Sequence, residues 1–325
     1  IQKLMNFNTI LIVAGEPHSI FLEIFFKSIK KNTFKKPMIL IASENLLIKQ
    51  MKKLNFNFKI KLIEKTNINT KLLKNNCINL INVDYKFTHP FQKISAKSNN
   101  YITECFSVAL QLISKNKSLS LINGPINKKY FLNGDSLGIT EYLAKKNKLM
   151  NEVAMLIFNK KLAVSPITTH IPLKSVSKNI TTKKIYSHVK LINDFYKKKF
   201  KKIPSIAVTG LNPHCESNFK NSEEKSIISP IIKKLKMKKF NVSGPFPADT
   251  IFIKNNLKNY DVVIGMYHDQ VLAPIKTIFG FDAINITLGL PFLRVSPDHG
   301  PNEIMAGKNT SNPKSLIQAL KFLDN

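Results

Sequence analysis

The chain has 325 residues, of which 43% are hydrophobic and 22 are phenylalanine. This length predicts about two domains with enough apolar side chains for real cores, and it excludes a wholly disordered protein. No apolar run reaches the roughly 18 residues of a membrane helix, since the longest extends from Thr9 to Ala14. Three cysteines without a C-x-x-C pair favour a reducing compartment, so we expect a cytoplasmic protein.

The net charge of +30 raises the question of nucleic-acid binding, but the type of basic residue argues against it. Arg294 is the one arginine among 50 basic residues, and the 49 lysines are spread along the chain. Nucleic-acid-binding proteins usually use arginine for forked contacts and cluster their charge. The lysine runs at 197–202 and 233–239 adjoin apolar segments typical of amphipathic helices, which indicates solvated helix faces. We therefore expect no specific nucleic-acid partner.

Short apolar runs alternate with longer segments of helical periodicity, which is typical of an α/β protein. The predicted strands are Thr9–Ala14, Met38–Ala42, Ile78–Val83, Leu119–Ile122, Val153–Ile157, Leu162–Ser165, Ser205–Thr209, Asp261–Gly265 and Ala283–Thr287. The predicted helices are Ser19–Lys30, Glu44–Leu54, Tyr101–Ser114, Thr182–Phe200, Ser222–Lys238 and Ser311–Leu323. Local glycines favour a domain boundary near Gly134–Gly138.

The spacing of the glycines excludes two common nucleotide sites. No two of the 11 glycines are two positions apart, so the chain has no G-x-G-x-x-G motif, and it has no P-loop sequence. A dinucleotide cofactor would therefore have to bind without a Rossmann fingerprint.

Three of the seven histidines follow predicted strands. His170 follows the strand at 162–165, His214 the strand at 205–209 and His268 the strand at 261–265. The carboxyl ends of parallel strands meet at one edge of a sheet, where α/β proteins bind ligands. Three neutral imidazoles there suit a divalent ion that keeps open positions for substrate. From spacing alone, the alternative of three ordinary hydrogen-bonding loop residues is about equally well supported.

Two carboxylates accompany these histidines. Asp269 adjoins His268, and Asp249 lies in the segment G-P-F-P-A-D-T at 244–250. Either carboxylate could orient a metal-bound imidazole or transfer a proton. For Asp249 the alternative is a helix N-cap after a proline turn.

Arg294 persists in a chain that uses lysine almost everywhere else, which indicates a need for a planar guanidinium. A fork that grips a substrate carboxylate or phosphate is one interpretation, and a buried structural ion pair is the alternative. In the first case Arg294→Lys should change folding little, since lysine keeps the charge and most of the stem. Lys276 and Asn285 share with Arg294 the stretch 267–307, which is dense in Gly and Pro. We expect this stretch to be a functional loop system.

Seven short motifs occur along the chain in the order and spacing of a known family. They are G-P-I-N-K at 124–128, T-E-Y-L at 140–143, T-T-H-I-P-L at 168–173, G-L-N-P-H at 210–214, G-P-F-P-A-D-T-I-F at 244–252, Y-H-D-Q at 267–270 and N-I-T-L-G-L-P-F-L-R at 285–294. Over nearly its whole length the chain thereby resembles the 4-hydroxythreonine-4-phosphate dehydrogenase family of vitamin B6 (pyridoxine and pyridoxal phosphate) biosynthesis.

The resemblance implies a two-domain α/β/α fold like that of isocitrate and isopropylmalate dehydrogenases. It also implies a homodimer with active sites at the subunit interface. We expect a first domain at 1–138 plus 270–325 and a second at 139–269, with the histidines near the cleft between the domains.

The resemblance also implies the chemistry and the residues that perform it. The family oxidises and decarboxylates 4-phosphohydroxy-L-threonine to 3-amino-2-oxopropyl phosphate with NAD or NADP and a divalent metal such as zinc, magnesium or cobalt. The implied metal ligands are His170, His214 and His268. The implied substrate-binding residues are Thr140, Lys276, Asn285 and Arg294, and the implied catalytic residues are Lys276 and Asp249.

Three departures from the family pattern bear on the substrate and the site. Ile139 stands where the family has a histidine before T-E-Y, and isoleucine cannot donate to a phosphate. The N-terminal family motif survives only as G-E-P-H-S-I-F-L-E at 15–23, and Cys215 after the second histidine adds a candidate thiolate ligand. Two alternatives therefore stay open: a sibling dehydrogenase for another phosphorylated 3-hydroxy acid such as 4-phosphothreonate, and a catalytically inactive basic binding protein.

Overall fold

The structure is a computed structural model that describes residues 8–65, 68–132, 138–149, 153–215, 221–280 and 282–325. The chain divides into two units. Unit 1 comprises Ile1–Ser136 and Pro291–Asn325, and unit 2 comprises Leu137–Leu290. The sequence predicted a return to the first domain at residue 270, whereas the structure places this return at Pro291. The two positions differ because a helix and a strand that lie between them belong to unit 2.

Regular elements cover most of the described residues. The strands are β1 Thr9–Val13, β2 Met38–Ala42, β3 Ile60–Leu62, β4 Ile78–Asn82, β5 Leu119–Asn123, β6 Ala154–Phe158, β7 Ala163–Thr168, β8 Ile206–Thr209, β9 Val242–Phe246, β10 Val262–Tyr267, β11 Ile284–Leu288 and β12 Arg294–Pro297. The helices are α1 Phe21–Lys31, α2 Glu44–Lys53, α3 Asn99–Lys115, α4 Ile139–Lys146, α5 Val176–Asn179, α6 Thr182–Phe200, α7 Ser229–Met237, α8 Lys254–Leu257, α9 His268–Phe279 and α10 Lys314–Asp324. None of these described helices has the length and apolar content of a membrane span.

The predicted α/β class is confirmed, and all nine predicted strands are present with bounds within three residues of the prediction. Three strands, β3, β9 and β12, were not predicted. β3 is only three residues long, β9 contains Gly244 and Pro245, and β12 contains Arg294 and Pro297. Glycine, proline and charged residues are unusual in strands, so these segments lacked a strand pattern.

The expectation of a loop system at 267–307 was wrong. This stretch contains α9 and β12 as well as the predicted strand β11. Gly280, with φ of 58°, ends α9, and Gly289, with φ of 94°, turns the chain after β11. The glycines therefore mark the ends of regular elements, where a positive φ is required.

Unit 1 is built on a parallel sheet whose described strands have the order β3-β4-β2-β1-β5-β12. Every residue of β1, T-I-L-I-V, is buried. Parallel strands that are covered on both faces need such continuous apolar runs. α3 packs on β1, β2 and β5, and α10 packs on β12.

Unit 2 contains a mixed sheet with the order β11-β6-β7-β10-β8-β9 among its described strands. β6 is antiparallel to β11 and to β7, whereas β7, β10, β8 and β9 are parallel. α9 packs on β7 and β10, and its Val271 and Ile275 share a core with Val263 of β10. The three parallel neighbours β7, β10 and β8 end at one edge, and the residues that follow them form the candidate site.

Candidate active site

The three histidines singled out in the sequence lie at one edge of the unit 2 sheet. His170 follows the end of β7, His268 directly follows β10 as the first residue of α9, and His214 lies in the turn after β8. β7 and β8 each pair with β10 in parallel, so the carboxyl ends of these strands lie side by side.

Buried hydrogen bonds tie these strand ends together. The hydroxyl of Thr168 in β7 donates a hydrogen bond to the carbonyl oxygen of Met266 in β10 at 2.8 Å. Gln270 in the first turn of α9 connects β10 to β8. Its Nε2 donates to the Gly210 carbonyl at 2.8 Å, and its Oε1 accepts from Met266 N at 2.6 Å. The sequence assigned Gln270 no role beyond its place in the motif Y-H-D-Q. In the structure its side-chain amide joins the segment that carries His268 to the segment that carries His214.

Gln270→Leu is expected to lower the free energy of unfolding by about 2–4 kcal/mol, because a buried polar group without a partner costs about 1–3 kcal/mol. Leucine keeps the approximate volume but leaves Met266 N–H and the Gly210 carbonyl unsatisfied. Urea denaturation measures the change, with Gln111→Leu at an exposed position of α3 as the matched control. An unfolding midpoint equal to that of the control would contradict this role.

His170 and His268 approach each other at the sheet edge, with ring centroids 5.7 Å apart. Two imidazoles bound to one ion through bonds of about 2.1 Å have centroids about 5 Å apart, so this pair is near the spacing of two ligands. The side chain of His214 is 72% exposed. Within the described residues, no group of three His, Cys, Asp or Glu side chains is close enough to hold an ion. The structure thus brings two of the three implied ligands together and leaves the third in an exposed turn.

His268 has a carboxylate within hydrogen-bond distance of its Nδ1, and His214 has one just beyond that distance. Asp269 Oδ1 lies 2.6 Å from Nδ1 of His268, and Asp249 Oδ2 lies 3.8 Å from Nδ1 of His214. Metal-binding histidines usually donate one ring N–H to a carboxylate or carbonyl and bind the ion with the other nitrogen. The donor set therefore fits a divalent ion bound through Nε2. Asp249 is not the N-cap of the helix that follows, since that helix, α8, has Ile253 at its N-cap.

The turn that carries His214 has an unusual backbone. His214 and Cys215 both have φ of 57°, which is uncommon for residues other than glycine. Glu224 stabilises the turn, since its Oε1 accepts from Leu211 N at 2.7 Å and from Asn212 N at 2.8 Å. Burial disfavours the charged form of this carboxyl, but the hydrogen bonds from Asn212 and Leu211 outweigh burial and hold the pKa of Glu224 below its usual value.

Glu224→Gln is expected to destabilise the protein near neutral pH. The amide nitrogen that replaces Oε2 cannot accept the hydrogen bond that Asn212 Nδ2 donates to Oε2 at 2.9 Å, and the bonds to Oε1 lose their negative charge. The folded-state pKa of Glu224 is depressed, so its stabilisation is present above the unfolded-state pKa of about 4.5 and is lost as pH falls through the folded-state pKa. Urea denaturation should therefore show a larger difference between wild type and variant at about pH 7 than at about pH 3.5. A difference that does not change with pH would argue against a role for the carboxylate charge.

The Cys215 side chain packs against Gly210, directly after the end of β8. A Cβ at Gly210 would lie 2.6 Å from its Sγ. Burial raises the pKa of the Cys215 thiol, and the negative charges of Glu224 and Asp249 raise it further, against a hydrogen bond with Gly210. The thiol therefore stays protonated at neutral pH in this structure, which favours packing over the thiolate ligand considered from the sequence.

Of the implied substrate-binding residues of unit 2, Thr140 lines a cavity of about 260 Å³. Thr140 lines this cavity together with Glu141 and is buried, with its Oγ1 3.3 Å from Oγ1 of Thr287. Asn285 on β11 does not line the cavity, and its Oδ1 is buried without a hydrogen-bond partner among the described residues. Lys276 is exposed in the last turn of α9. An open acceptor on Asn285 is consistent with a ligand that supplies a donor.

Arg294 lies in unit 1 and begins β12. Only 1% of the residue is exposed, and its Nε donates to Asn123 Oδ1 at 2.8 Å. This acceptor is a neutral amide at the end of β5.

This chain is similar to known proteins over nearly its whole length. A family model described as "Pyridoxal phosphate biosynthetic protein PdxA" matches residues 33–323. A relative from Sulfurihydrogenibium sp. (strain YO3AOP1), named 4-hydroxythreonine-4-phosphate dehydrogenase, is 37% identical over 318 residues and 96% of each chain. A relative from Oceanobacillus iheyensis, named "Putative D-threonate 4-phosphate dehydrogenase", is 30% identical over 95% of each chain.

Solved structures extend the similarity to the fold. The crystal structure of 4-hydroxythreonine-4-phosphate dehydrogenase from Klebsiella pneumoniae has a TM-score of 0.81 to this chain at 26% sequence identity. The match covers 97% of this chain and 98% of that chain, so it includes both units.

Proposed function

Because the chain belongs to the PdxA family of pyridoxal phosphate biosynthetic proteins, we propose that it is a metal-dependent 4-hydroxythreonine-4-phosphate dehydrogenase. It would oxidise 4-phosphohydroxy-L-threonine with NAD or NADP and release CO₂ to form 3-amino-2-oxopropyl phosphate. The observation that carries the proposal is the shared sheet edge, where the His170 and His268 rings lie 5.7 Å apart. Carboxylates near Nδ1 of His268 and His214 support it further.

His170, His214 and His268 would hold the divalent ion, with zinc, magnesium and cobalt as the candidate metals. When bound, the ion would supply Lewis acidity at the substrate hydroxyl and carboxylate, and NAD(P) would supply the hydride acceptor. Asp269 would keep the proton of His268 on Nδ1, so that Nε2 is available to the ion. Asp249 would do the same for His214 from the turn after β9.

The remaining residues would bind the substrate and move its protons. Lys276, exposed at the end of α9, would accept the proton of the substrate hydroxyl and return a proton after CO₂ is lost, with Asp249 as the second proton carrier. Thr140 and Asn285 would hydrogen-bond the substrate, and the open Oδ1 of Asn285 supports this role. Arg294 would hold an anionic group, because a guanidinium can make two parallel hydrogen bonds to a phosphate or carboxylate.

A second candidate function is the dehydrogenation of D-threonate 4-phosphate. Ile139 begins α4 directly before Thr140, and its side chain cannot donate to a phosphate or hydroxyl. The relative from Oceanobacillus iheyensis carries this activity in its name at 30% identity. The two substrates share a phosphate and a hydroxyl at the oxidised carbon, so the same site chemistry would serve both.

The test is the initial rate of NADH or NADPH formation by the purified protein with each substrate, in the presence of zinc, magnesium or cobalt. We expect the higher kcat/KM with 4-phosphohydroxy-L-threonine, together with CO₂ release. A higher kcat/KM with D-threonate 4-phosphate would favour the second candidate. No turnover with either substrate would contradict both and favour the binding protein that lacks catalysis.

The proposal includes a cytoplasmic homodimer with its active sites at the subunit interface, as the family resemblance implies. Cys77, Cys105 and Cys215 are free thiols, which fits a reducing compartment. Size-exclusion chromatography with light scattering should give twice the mass of the 36.9 kDa chain.

A further inference from the structure

A third carboxylate lies near the remaining histidine. Glu141 is in the first turn of α4, and its Oε1 accepts a hydrogen bond from the hydroxyl of Thr169 at 3.2 Å. Thr169 directly precedes His170, so this bond connects α4 to the segment that carries the histidine. The other oxygen, Oε2, is buried and has no hydrogen-bond partner among the described residues. One carboxylate oxygen is therefore fixed, and the other is open to a donor.

Gly138 shows where this open oxygen lies. A Cβ at Gly138 would be 2.9 Å from Glu141 Oε2, 3.1 Å from Cε1 of His170 and 3.3 Å from Nδ1 of His170. The carboxylate oxygen and the Nδ1 edge of the imidazole therefore border the same small space. Gly138 has φ of −166°, an extended conformation that any residue adopts. The absence of a side chain at this position matters because it keeps the space open, and the backbone does not require glycine.

We propose that Glu141 is the positioning residue of His170. Its Oε2 accepts the Nδ1–H across the space at Gly138, directly or through one water, and this leaves Nε2 for the ion. Asp269 stands in the same relation to His268, at 2.6 Å from Nδ1. The inference rests on the proposed function, since it takes His170 as a metal ligand. It assigns a role to a residue outside the implied ligand and substrate sets.

Two variants separate this role from a structural one. In Glu141→Gln the side chain keeps its shape and its Thr169 contact, but its amide nitrogen presents N–H to Nδ1 and favours the wrong tautomer of the ring. In Gly138→Ala the new Cβ occupies the shared space, and the closest atom it displaces is the end of a flexible carboxylate. Glu64→Gln removes the same charge at an exposed position of unit 1 and is the matched control.

Titration of the metal-free proteins with Co²⁺, followed by visible absorption, measures metal affinity without any turnover. We expect both variants to bind Co²⁺ about 10- to 100-fold more weakly than wild type, which is the usual loss when the partner of a metal-binding histidine is removed. The thermal midpoints should match that of Glu64→Gln, which should bind Co²⁺ like wild type. Nitrogen-15 NMR of the metal-free wild type should find the proton of His170 on Nδ1.

Unchanged Co²⁺ affinity in both folded variants, or a His170 proton on Nε2 in the wild type, would overturn the role of Glu141. The NMR result needs no variant, so it decides the question even if a variant fails to fold. A wild type that binds no Co²⁺ would contradict the proposed metal site as well as this role. A wild type that binds Co²⁺ and variants that bind it equally well would contradict the role of Glu141 alone.

Discussion

Replacing His268 by alanine is expected to abolish metal binding and to lower kcat/KM by about a thousandfold. The physical reason is that a bound ion contributes several kcal/mol to the stabilisation of developing charge, and about 1.4 kcal/mol corresponds to a tenfold change in rate. The His268 side chain is 34% exposed, so its removal should leave the fold intact. Metal analysis of the purified variant and the rate of NAD(P)H formation measure the two effects.

His89→Ala is the matched control for this experiment, because His89 is an exposed histidine of unit 1 outside the candidate site. It should keep the metal content and kcat/KM of the wild type. His170→Ala and His214→Ala should behave like His268→Ala. A full complement of metal after all three replacements would rule out the histidine site.

Arg294→Lys is expected to lower both the free energy of unfolding and kcat/KM. Lysine has no donor at the position of Nε, so Asn123 Oδ1 loses the partner it now has at 2.8 Å. A buried acceptor without a partner costs about 1–3 kcal/mol. Loss of one charge-assisted bond to an anionic substrate group should lower kcat/KM about 10- to 100-fold.

A second variant separates the two roles of Arg294. Asn123→Ala removes the acceptor but keeps the guanidinium, so it should lower the thermal midpoint with a smaller effect on kcat/KM than Arg294→Lys has. If Arg294→Lys lowers only the thermal midpoint and keeps wild-type kinetics, the guanidinium is structural and does not contact substrate.

Nine of the described strands could be predicted because their sequences carry a strong physical signal. β1 and β2, T-I-L-I-V and M-I-L-I-A, are apolar at almost every position, as parallel strands buried on both faces must be. α9 lacked such a signal, since Pro274 lies inside it and Gly280 ends it. Proline usually breaks a helix interior, so the segment was expected to be a loop. Packing of Val271 and Ile275 against the sheet stabilises the helix in spite of the proline.

The candidate site was predictable where it depends on strand ends. Residues that follow parallel strands must lie at one edge, which predicts the positions of His170, His214 and His268 along that edge. The rings of His170 and His268 approach each other there, whereas His214 lies in an exposed turn. Gln270, Glu224 and Glu141 could not be assigned, because each acts through hydrogen bonds to residues distant in the sequence, such as Gln270 to Gly210. Gln270 and Glu141 lie inside two of the seven motifs, Y-H-D-Q and T-E-Y-L, whereas Glu224 lies in none of them.

For Arg294, burial changes the expectation drawn from the sequence. A partly exposed guanidinium that only contacts substrate would tolerate lysine without loss of stability. The structure instead leaves 1% of Arg294 exposed and bonds its Nε to a neighbouring strand. The expected result of Arg294→Lys therefore now includes a loss of stability, which sequence patterns alone could not reveal.

The central claim is that the chain is a metal-dependent dehydrogenase whose ion is held by His170, His214 and His268. Its most direct test is the rate of NAD(P)H formation from 4-phosphohydroxy-L-threonine in the protein as purified, after chelation, and after zinc, magnesium or cobalt is restored. We predict turnover in the purified protein, its loss on chelation and its return with metal. Turnover that persists unchanged in protein shown to be metal-free, or no turnover after metal is restored, would contradict the claim.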